Sequence, residues 1–121
     1  MDNPMKDANR PPGKTTVSPD VLSTIARMAA LSVSGVSGIA AAGGGVDRLF
    51  RRGSGDGVRI QIQDETVFAN LYLVVKRDAN IREVGRNVQE QVTRAIREMV
   101  GMNVGGVDIH VEDVDYEGSE A

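Results

Sequence analysis

The region around residues 70–114 constrains the fold more than any other part of this chain. Residues 67–76 alternate between apolar side chains facing one way and mostly polar ones facing the other, at the two-residue period of a pleated strand. Residues 81–99 then carry apolar side chains at three- and four-residue steps, which is typical of an amphipathic helix. Alternation returns along residues 107–111. This succession predicts strand, helix and strand, and therefore a helix packed on a sheet.

Local signals mark both ends of the predicted helix. Asn80 can cap its N-terminus, with Glu83 at the third helical position to complete a capping box. Gly101 is suited to end it in the left-handed conformation. We expect seven residues to form one buried stripe along the helix: Ile81, Val84, Val88, Val92, Ala95, Ile96 and Met99.

A second helix is predicted in the first half of the chain. Ser18 as cap, Pro19 at the first helical position and Asp20 near the positive end of the helix dipole form a strong start signal. The helix is expected to reach about Val33, and Gly35 to stop it. Its predicted buried stripe comprises Val21, Leu22, Ile25, Met28, Ala29 and Leu31.

The remaining segments complete the predicted topology. Residues 35–57 are rich in glycine, with a brief helical turn expected at residues 46–50. Alternation along residues 58–63 predicts a strand, and Asp64 with Glu65 provides a tight turn into the next strand at Thr66. Residues 15–17 are compatible with a short edge strand.

These elements predict an α+β fold, a small two-layer sandwich of order (β)αββαβ. Two helices would cover one face of a three- to four-stranded sheet, because strands with one polar face need only one cover. The predicted organisation is a disordered tail at residues 1–14, a single domain at 15–114 and a disordered acidic tail at 115–121. An open sheet edge would favour self-association by strand addition.

Composition excludes several classes of protein. The net charge of −3 gives no general attraction to nucleic acid or anionic lipid. Absence of cysteine excludes disulfides, thiolate metal sites and cysteine nucleophiles. The N-terminus lacks the apolar core of a signal peptide. Residues 28–46 are uncharged, but their many small residues argue against a membrane span, so we expect a cytoplasmic protein.

Two glycine motifs are weighed against simpler interpretations. Residues 8–15 loosely match a phosphate-binding loop, but Pro11 and Pro12 have no N–H to offer a phosphate, which indicates a chance match. Residues 35–38, Gly-Val-Ser-Gly, resemble the glycine clamp of KH-type RNA-binding modules, although neither central residue is basic. A helix stop followed by a turn is favoured there, and a KH-like nucleic-acid-binding module stays as the alternative function.

Side chains with binding or catalytic potential are sparse. Arg48, Arg51 and Arg52, with Arg59 nearby, form the one concentrated basic cluster. We interpret it either as a site for acidic lipid head groups, a partner protein or nucleic acid, or as a solvated loop. The single histidine, His110, lies on the polar side of its strand, without the spaced partners of a triad or zinc site. We therefore expect no catalytic residues, no cofactor and no metal.

Several short pieces, in this order and spacing, resemble the alkaline shock protein family of Gram-positive envelope-stress proteins, which includes the Gls-type general stress proteins. The resemblance covers roughly residues 13–114. Its pieces are Gly13, VS at 17–18, VL at 21–22, VSGV at 33–36, LYLVV at 71–75, NIxEV at 80–84, VQxxV at 88–92, MVG at 99–101 and VDIHV at 107–111.

The resemblance implies a non-enzymatic, cytoplasmic protein that gathers at the inner face of the membrane. It also implies association with copies of itself and with a membrane-anchored relative, in maintaining the envelope under stress. Two departures qualify this picture. Thr15 stands where the family has an aliphatic residue in its first strand, and residues 40–57 are unusually rich in glycine and arginine.

Overall fold

A computed structural model of the chain describes residues 13–40 and 57–116. These residues confirm the predicted α+β fold, with two helices and a four-stranded sheet. The helices are α1 (Pro19–Leu31) and α2 (Ile81–Val100), and the strands are β1 (Val36–Ile39), β2 (Val58–Gln63), β3 (Thr66–Lys76) and β4 (Asn103–Asp115).

The long strand β3 is the centre of the sheet. On one side it pairs antiparallel with both β1 and β2, and on the other it pairs in parallel with β4. The N–H of Ala40 donates to the carbonyl of Tyr72, whose own N–H donates to the carbonyl of Gly57. The two short strands therefore lie end to end along one edge of β3. Ala40 and Gly57, the described residues on either side of positions 41–56, both lie beside Tyr72.

The local signals that bound the helices are confirmed. The side chain of Ser18 accepts a hydrogen bond from the N–H of Val21, and the Asn80 side chain accepts one from the N–H of Glu83, at 3.0 Å. Each bond satisfies one of the otherwise unpaired N–H groups of a first helical turn. Gly101 ends α2 with φ +80°, a left-handed conformation that glycine adopts without steric penalty.

The predicted turn between β2 and β3 is also confirmed. Asp64 and Glu65 both have positive φ, 51° and 65°, which gives a two-residue hairpin loop of the primed type. Such turns match the right-handed twist of the flanking strands and fix their register. Gln63 consequently faces Thr66, and Val58 faces Leu71 at the other end of the ladder.

One face of β3 forms the floor of the core. Every second residue of β3 from Val67 to Val75 is buried, whereas residues 68, 70, 72 and 74 lie on the opposite, half-exposed face. Each large apolar side chain buried in this way contributes roughly 1.5–3 kcal/mol before entropy is subtracted. The two helices cover this floor with the following buried residues: Leu22, Ile25, Ala26, Ala30, Val84, Val88, Val92 and Ile96.

Two strand assignments need correction. Residues 15–17, which were compatible with a short edge strand, are not a strand, and the fourth strand of the sheet is instead β1, inside the glycine-rich region. This four-residue strand exists because it pairs with β3, a non-local contact that its own sequence does not announce. Strand β4 extends well beyond the predicted residues 107–111 at both ends. The predicted turn at residues 46–50 lies outside the described residues.

The predicted buried stripes were too wide. Met28 and Met99 are 63% and 70% exposed, and Val21, Leu31 and Ile81 are also largely exposed. Helical periodicity identifies the apolar stripe, but its enclosed width depends on neighbouring elements. Among the described elements, each helix packs against the sheet and the other helix, and the apolar residues at the margins of both stripes are exposed.

Candidate interaction surfaces

The first candidate surface is the face of the sheet opposite the helices, here called the outer sheet face. It carries the half-exposed side chains of Phe68, Asn70, Tyr72 and Val74, which alternate with the buried residues of β3. The strand register places Arg59 of β2 opposite Asn70. Both described helices lie on the other side of the sheet, so these side chains are open to a partner.

An aromatic pair occupies the middle of the outer sheet face. The rings of Tyr72 and His110 stack, with centroids 4.6 Å apart and planes 13° from parallel. Nε2 of His110 donates to Oδ1 of Asn70 across 2.9 Å. The pair forms because parallel pairing sets residue 72 beside residue 110. His110 lies on the polar side of its strand, as predicted, and its described contacts are those of a packed, hydrogen-bonded side chain.

The second candidate surface is the free edge of β4. Tyr72 directs its N–H and C=O towards β1 and β2, so by alternation residues 71 and 73 bond towards β4. Because residue 71 pairs with residue 109, the backbone N–H and C=O groups of residues 108 and 110 point towards β3. Those of residues 107, 109 and 111 point the other way, out of the sheet edge. A side chain of α2 independently supports this orientation of the Val107 carbonyl, because Nε2 of Gln89 donates a hydrogen bond to it at 3.0 Å.

A groove lined by both apolar and polar residues runs beside this edge, between β4 and α2. Ile81, Gly85, Ile109 and Val111 line it, with Arg82, Arg86 and Gln89 above. Ile81 is 48% exposed and the two strand residues are half-buried. An edge strand with unpaired backbone groups and adjoining apolar side chains is the usual requirement for strand addition.

The third candidate surface is a small groove on the helical side, between α1 and α2. The exposed Met28 and Met99 flank it, with Ile25, Ala29 and Ala95 at its base. The groove is therefore a further patch of exposed apolar surface. Methionine side chains are flexible, so this patch could adapt to partners of irregular shape.

The predicted site residues are only partly covered by the structure. Arg59 is exposed on the outer sheet face, whereas Arg48, Arg51 and Arg52 lie outside the described ranges. The segment carrying those three begins after Ala40 and ends before Gly57, both bonded to Tyr72. Of the four arginines, the structure therefore places only Arg59, on β2 at the edge that β1 and β2 form.

The glycine motif at residues 35–38 does not form a clamp loop. Val36, Ser37 and Gly38 belong to β1, and Val36 is buried against the core. A nucleic-acid clamp needs backbone that can reach a sugar-phosphate chain, and a strand paired with β3 does not offer it. The KH-like alternative thus loses the motif on which it was based.

Sequence reasoning missed the β4 groove and the Tyr72–His110 pair. The alternation of both strands was visible, but the contact between them depends on the parallel register. Among residues 13–40 and 57–116, no three His, Asp or Glu side chains come together as metal ligands would. Neither described helix is long and apolar enough to cross a membrane. The fold and these surfaces define a small α+β domain with open recognition surfaces.

Comparison with protein families shows to which family this α+β domain belongs. Residues 7–116 match the model of the alkaline shock protein 23 family, described as having a cell envelope-related function. The match spans most of the 121 residues, so the chain belongs to that family. The resemblance inferred from short sequence pieces is thereby confirmed.

Individual relatives agree with this assignment. The chain is 28% identical over 107 residues to the Bacillus subtilis protein YqhY, covering 87% of this chain and 79% of YqhY. It is 27% identical to YloU of the same organism over 106 residues, covering 84% and 88% of the two chains. A Streptococcus pyogenes protein, Spy1535, is 28% identical over 103 residues, covering 84% and 79%.

The fold also occurs among solved structures. A cadmium form of a MamM C-terminal domain variant superimposes with a TM-score of 0.51, covering 81% of this chain and all of that domain. Sequence identity is 13%, so the likeness concerns the fold alone. Nothing about metal binding follows for the present chain.

Proposed function

We propose that this protein is a non-catalytic interaction module of the cell envelope. In this proposal it associates with copies of itself and is held at the cytoplasmic face of the membrane by a membrane-anchored relative, as part of an envelope or general stress response. Membership of a family with a cell envelope-related function supports the setting. The molecular role is argued from the surfaces.

The observation that carries the proposal is the free edge of β4. This strand has 13 residues, and its ladder with β3 is the one pairing that the described part of the chain supplies. The backbone groups that β4 directs away from β3 adjoin the groove that contains Ile81, Ile109 and Val111, so an added strand could bond to the backbone and cover these apolar side chains. A protein whose recognition elements lie on open surfaces is suited to binding other proteins.

The anchored partner is proposed to bind at the opposite edge of the sheet, through Arg48, Arg51, Arg52 and Arg59. Arginine forms paired hydrogen bonds with carboxylates, so the matching surface on the partner would be acidic. Because β4 and the arginine-bearing edge lie on opposite sides of β3, self-association and docking need not compete.

Light scattering on size-separated protein tests self-association. We expect a mass above that of the monomer, rising with concentration. A strict monomer at tens of micromolar would contradict this half of the proposal.

Affinity capture from native cells with membranes retained tests the docking half. Changing Arg48, Arg51 and Arg52 to glutamine should release the protein from the membrane fraction. A matched control changes Arg77, Arg94 and Arg97 to glutamine, which removes the same charge from other exposed positions. Equal loss in both variants would show a general charge effect, and salt-sensitive RNA binding lost only in the first would support the nucleic-acid alternative.

A further inference from the structure

The free edge of β4 is regular over only a short stretch. The ladder between β3 and β4 shifts register after Val67 and again after Leu73, which leaves residues 106–111 regular between two irregularities. Bulges twist a strand and end its regular pairing. A strand that is added to β4 is therefore confined to residues 106–111, between the two bulges. Within this part the outward backbone groups belong to residues 107, 109 and 111, and they are centred on Ile109.

We infer that the occupant of this edge is a second copy of the chain, whose β4 pairs antiparallel with β4 about a two-fold axis at Ile109. The inference rests on the self-association proposed above and specifies its geometry. Ile109 faces itself, and Val107 faces Val111 of the other copy. In an antiparallel ladder, two facing residues whose backbone groups point towards each other exchange two N–H···O hydrogen bonds. The two sheets then become one continuous sheet, with all four helices on the same face.

Charge selects this register over its neighbours. With the axis at Ile109, the carboxylate of Asp108 lies opposite the imidazole of His110 in the other copy, twice by symmetry. An axis at Asp108 would place two aspartates opposite each other, and an axis at His110 would oppose Asp108 to Glu112. Like charges directly across a ladder are destabilising. Moving the axis by one residue shifts the facing residues by two, which is the smallest shift that keeps side chains on matching faces. The registers centred on Asp108 and His110 are therefore the nearest competitors.

Gly85 is a second, independent observation. Glycine inside a helix is unfavourable, and the isolated chain gives no steric reason for it, since an added Cβ would only touch Cγ2 of Ile109, at 3.9 Å. Gly85 lies directly above Ile109 and therefore beside the proposed axis. In the pair, the α2 helices of the two copies run antiparallel across this axis. A residue without a side chain there permits the close approach of two helices, about 8 Å between axes.

Engineered cysteines test the register, because the natural chain contains none. Facing residues that exchange backbone bonds have Cα atoms about 5.5 Å apart, which suits a disulfide. Under mild oxidation, Ile109→Cys should form covalent dimers. Asp108→Cys and His110→Cys should do so far less, because each would face its own copy only in a competing register.

Gly85→Ala provides a test that does not depend on cross-linking. We expect its melting temperature to rise by a few degrees, through better helix propensity, while dimer affinity falls about tenfold. Asn87→Ala is the matched control: it also improves helix propensity but lies on another side of α2, near Ser34, and should leave affinity unchanged.

The outcomes separate this inference from the proposed function. A wild-type dimer that cross-links preferentially at residue 108 or 110, or at none of the three, would overturn the β4 pairing while leaving self-association intact. Unchanged affinity in Gly85→Ala would also overturn the helix contact. A monomeric wild-type protein would overturn both the inference and the self-association on which it rests.

Discussion

The two edges of the sheet differ in a way that distinguishes a protected edge from an open one. Along one edge, β1 has four residues and β2 has six, and the chain departs between them beside Tyr72. Along the other edge β4 runs for 13 residues, with apolar side chains beside the exposed backbone. The first edge also presents Arg59, Gln61 and Gln63 as exposed polar residues.

Proteins commonly protect sheet edges by keeping strands short, by adding charge and by interrupting the pairing. The β1–β2 edge has all three features, whereas β4 is long, and its pairing with β3 is interrupted only outside residues 106–111. The difference supports the proposal that self-association uses β4, which would leave the opposite edge available for another task.

Ile109→Lys should have the largest effect. Two lysines would face each other at the proposed axis, and the apolar pair they replace would be lost, so we expect the dimer Kd to rise roughly 100-fold, about 2.7 kcal/mol. The fold should survive because the aliphatic stem can stay in the groove while the ammonium reaches water. Analytical ultracentrifugation measures the Kd, and a thermal melt checks the fold.

Gln61→Lys is the matched control on the opposite edge, since Gln61 is exposed in β2. It adds the same charge to an edge strand, and the dimer Kd should stay within about twofold, as expected for a surface change away from the contact. If Gln61→Lys weakens the dimer as much as Ile109→Lys, the two edges are equivalent and the contrast is wrong.

Removal of residues 41–57, with Ala40 joined to Val58, should have the next largest effect. Ala40 is bonded to Tyr72 and Val58 faces Leu71, so the join continues one antiparallel ladder without a gap. Eliminating a closed loop of this length should raise the free energy of unfolding by roughly 2 kcal/mol, which denaturant titration would measure.

The same deletion makes the protected edge continuous. Combined with Ile109→Lys, which disables β4, it should give a chain that associates again through the new edge. Light scattering would show this as mass above the monomer. If the combined variant stays monomeric, interruption of the strands is not what protects the edge.

Features governed by local chemistry could be predicted from the sequence. Asn80 and Gly101 bound α2 because a cap side chain and a left-handed glycine act within one helical turn. The turn at Asp64 and Glu65 and the alternation of β3 are local in the same sense. These features sufficed to give the fold class and the family resemblance.

Features governed by pairing between distant residues could not be predicted. Strand β1 was missed because its four residues are stabilised by β3, some forty positions later. The exposure of Ile81 depends on which elements pack around the start of α2, and helical periodicity carries no information about them. The candidate site is of this second kind, since the groove and the Tyr72–His110 stack both require the parallel register of β3 and β4.

Gln89→Ala should have the smallest effect, and in the opposite direction from Ile109→Lys. In the isolated chain the Gln89 amide donates to the outward carbonyl of Val107, which the second copy would also need. Without this side chain the carbonyl is bonded only to water, so pairing no longer has to compete with an internal bond. We expect the dimer Kd to fall about threefold, within the roughly 0.5–1.5 kcal/mol of one hydrogen bond.

Gln91→Ala, on the α1-facing side of α2, is the control. A weaker dimer in Gln89→Ala alone would mean that this side chain bridges the two copies, and that α2 takes part in the contact more directly than β4.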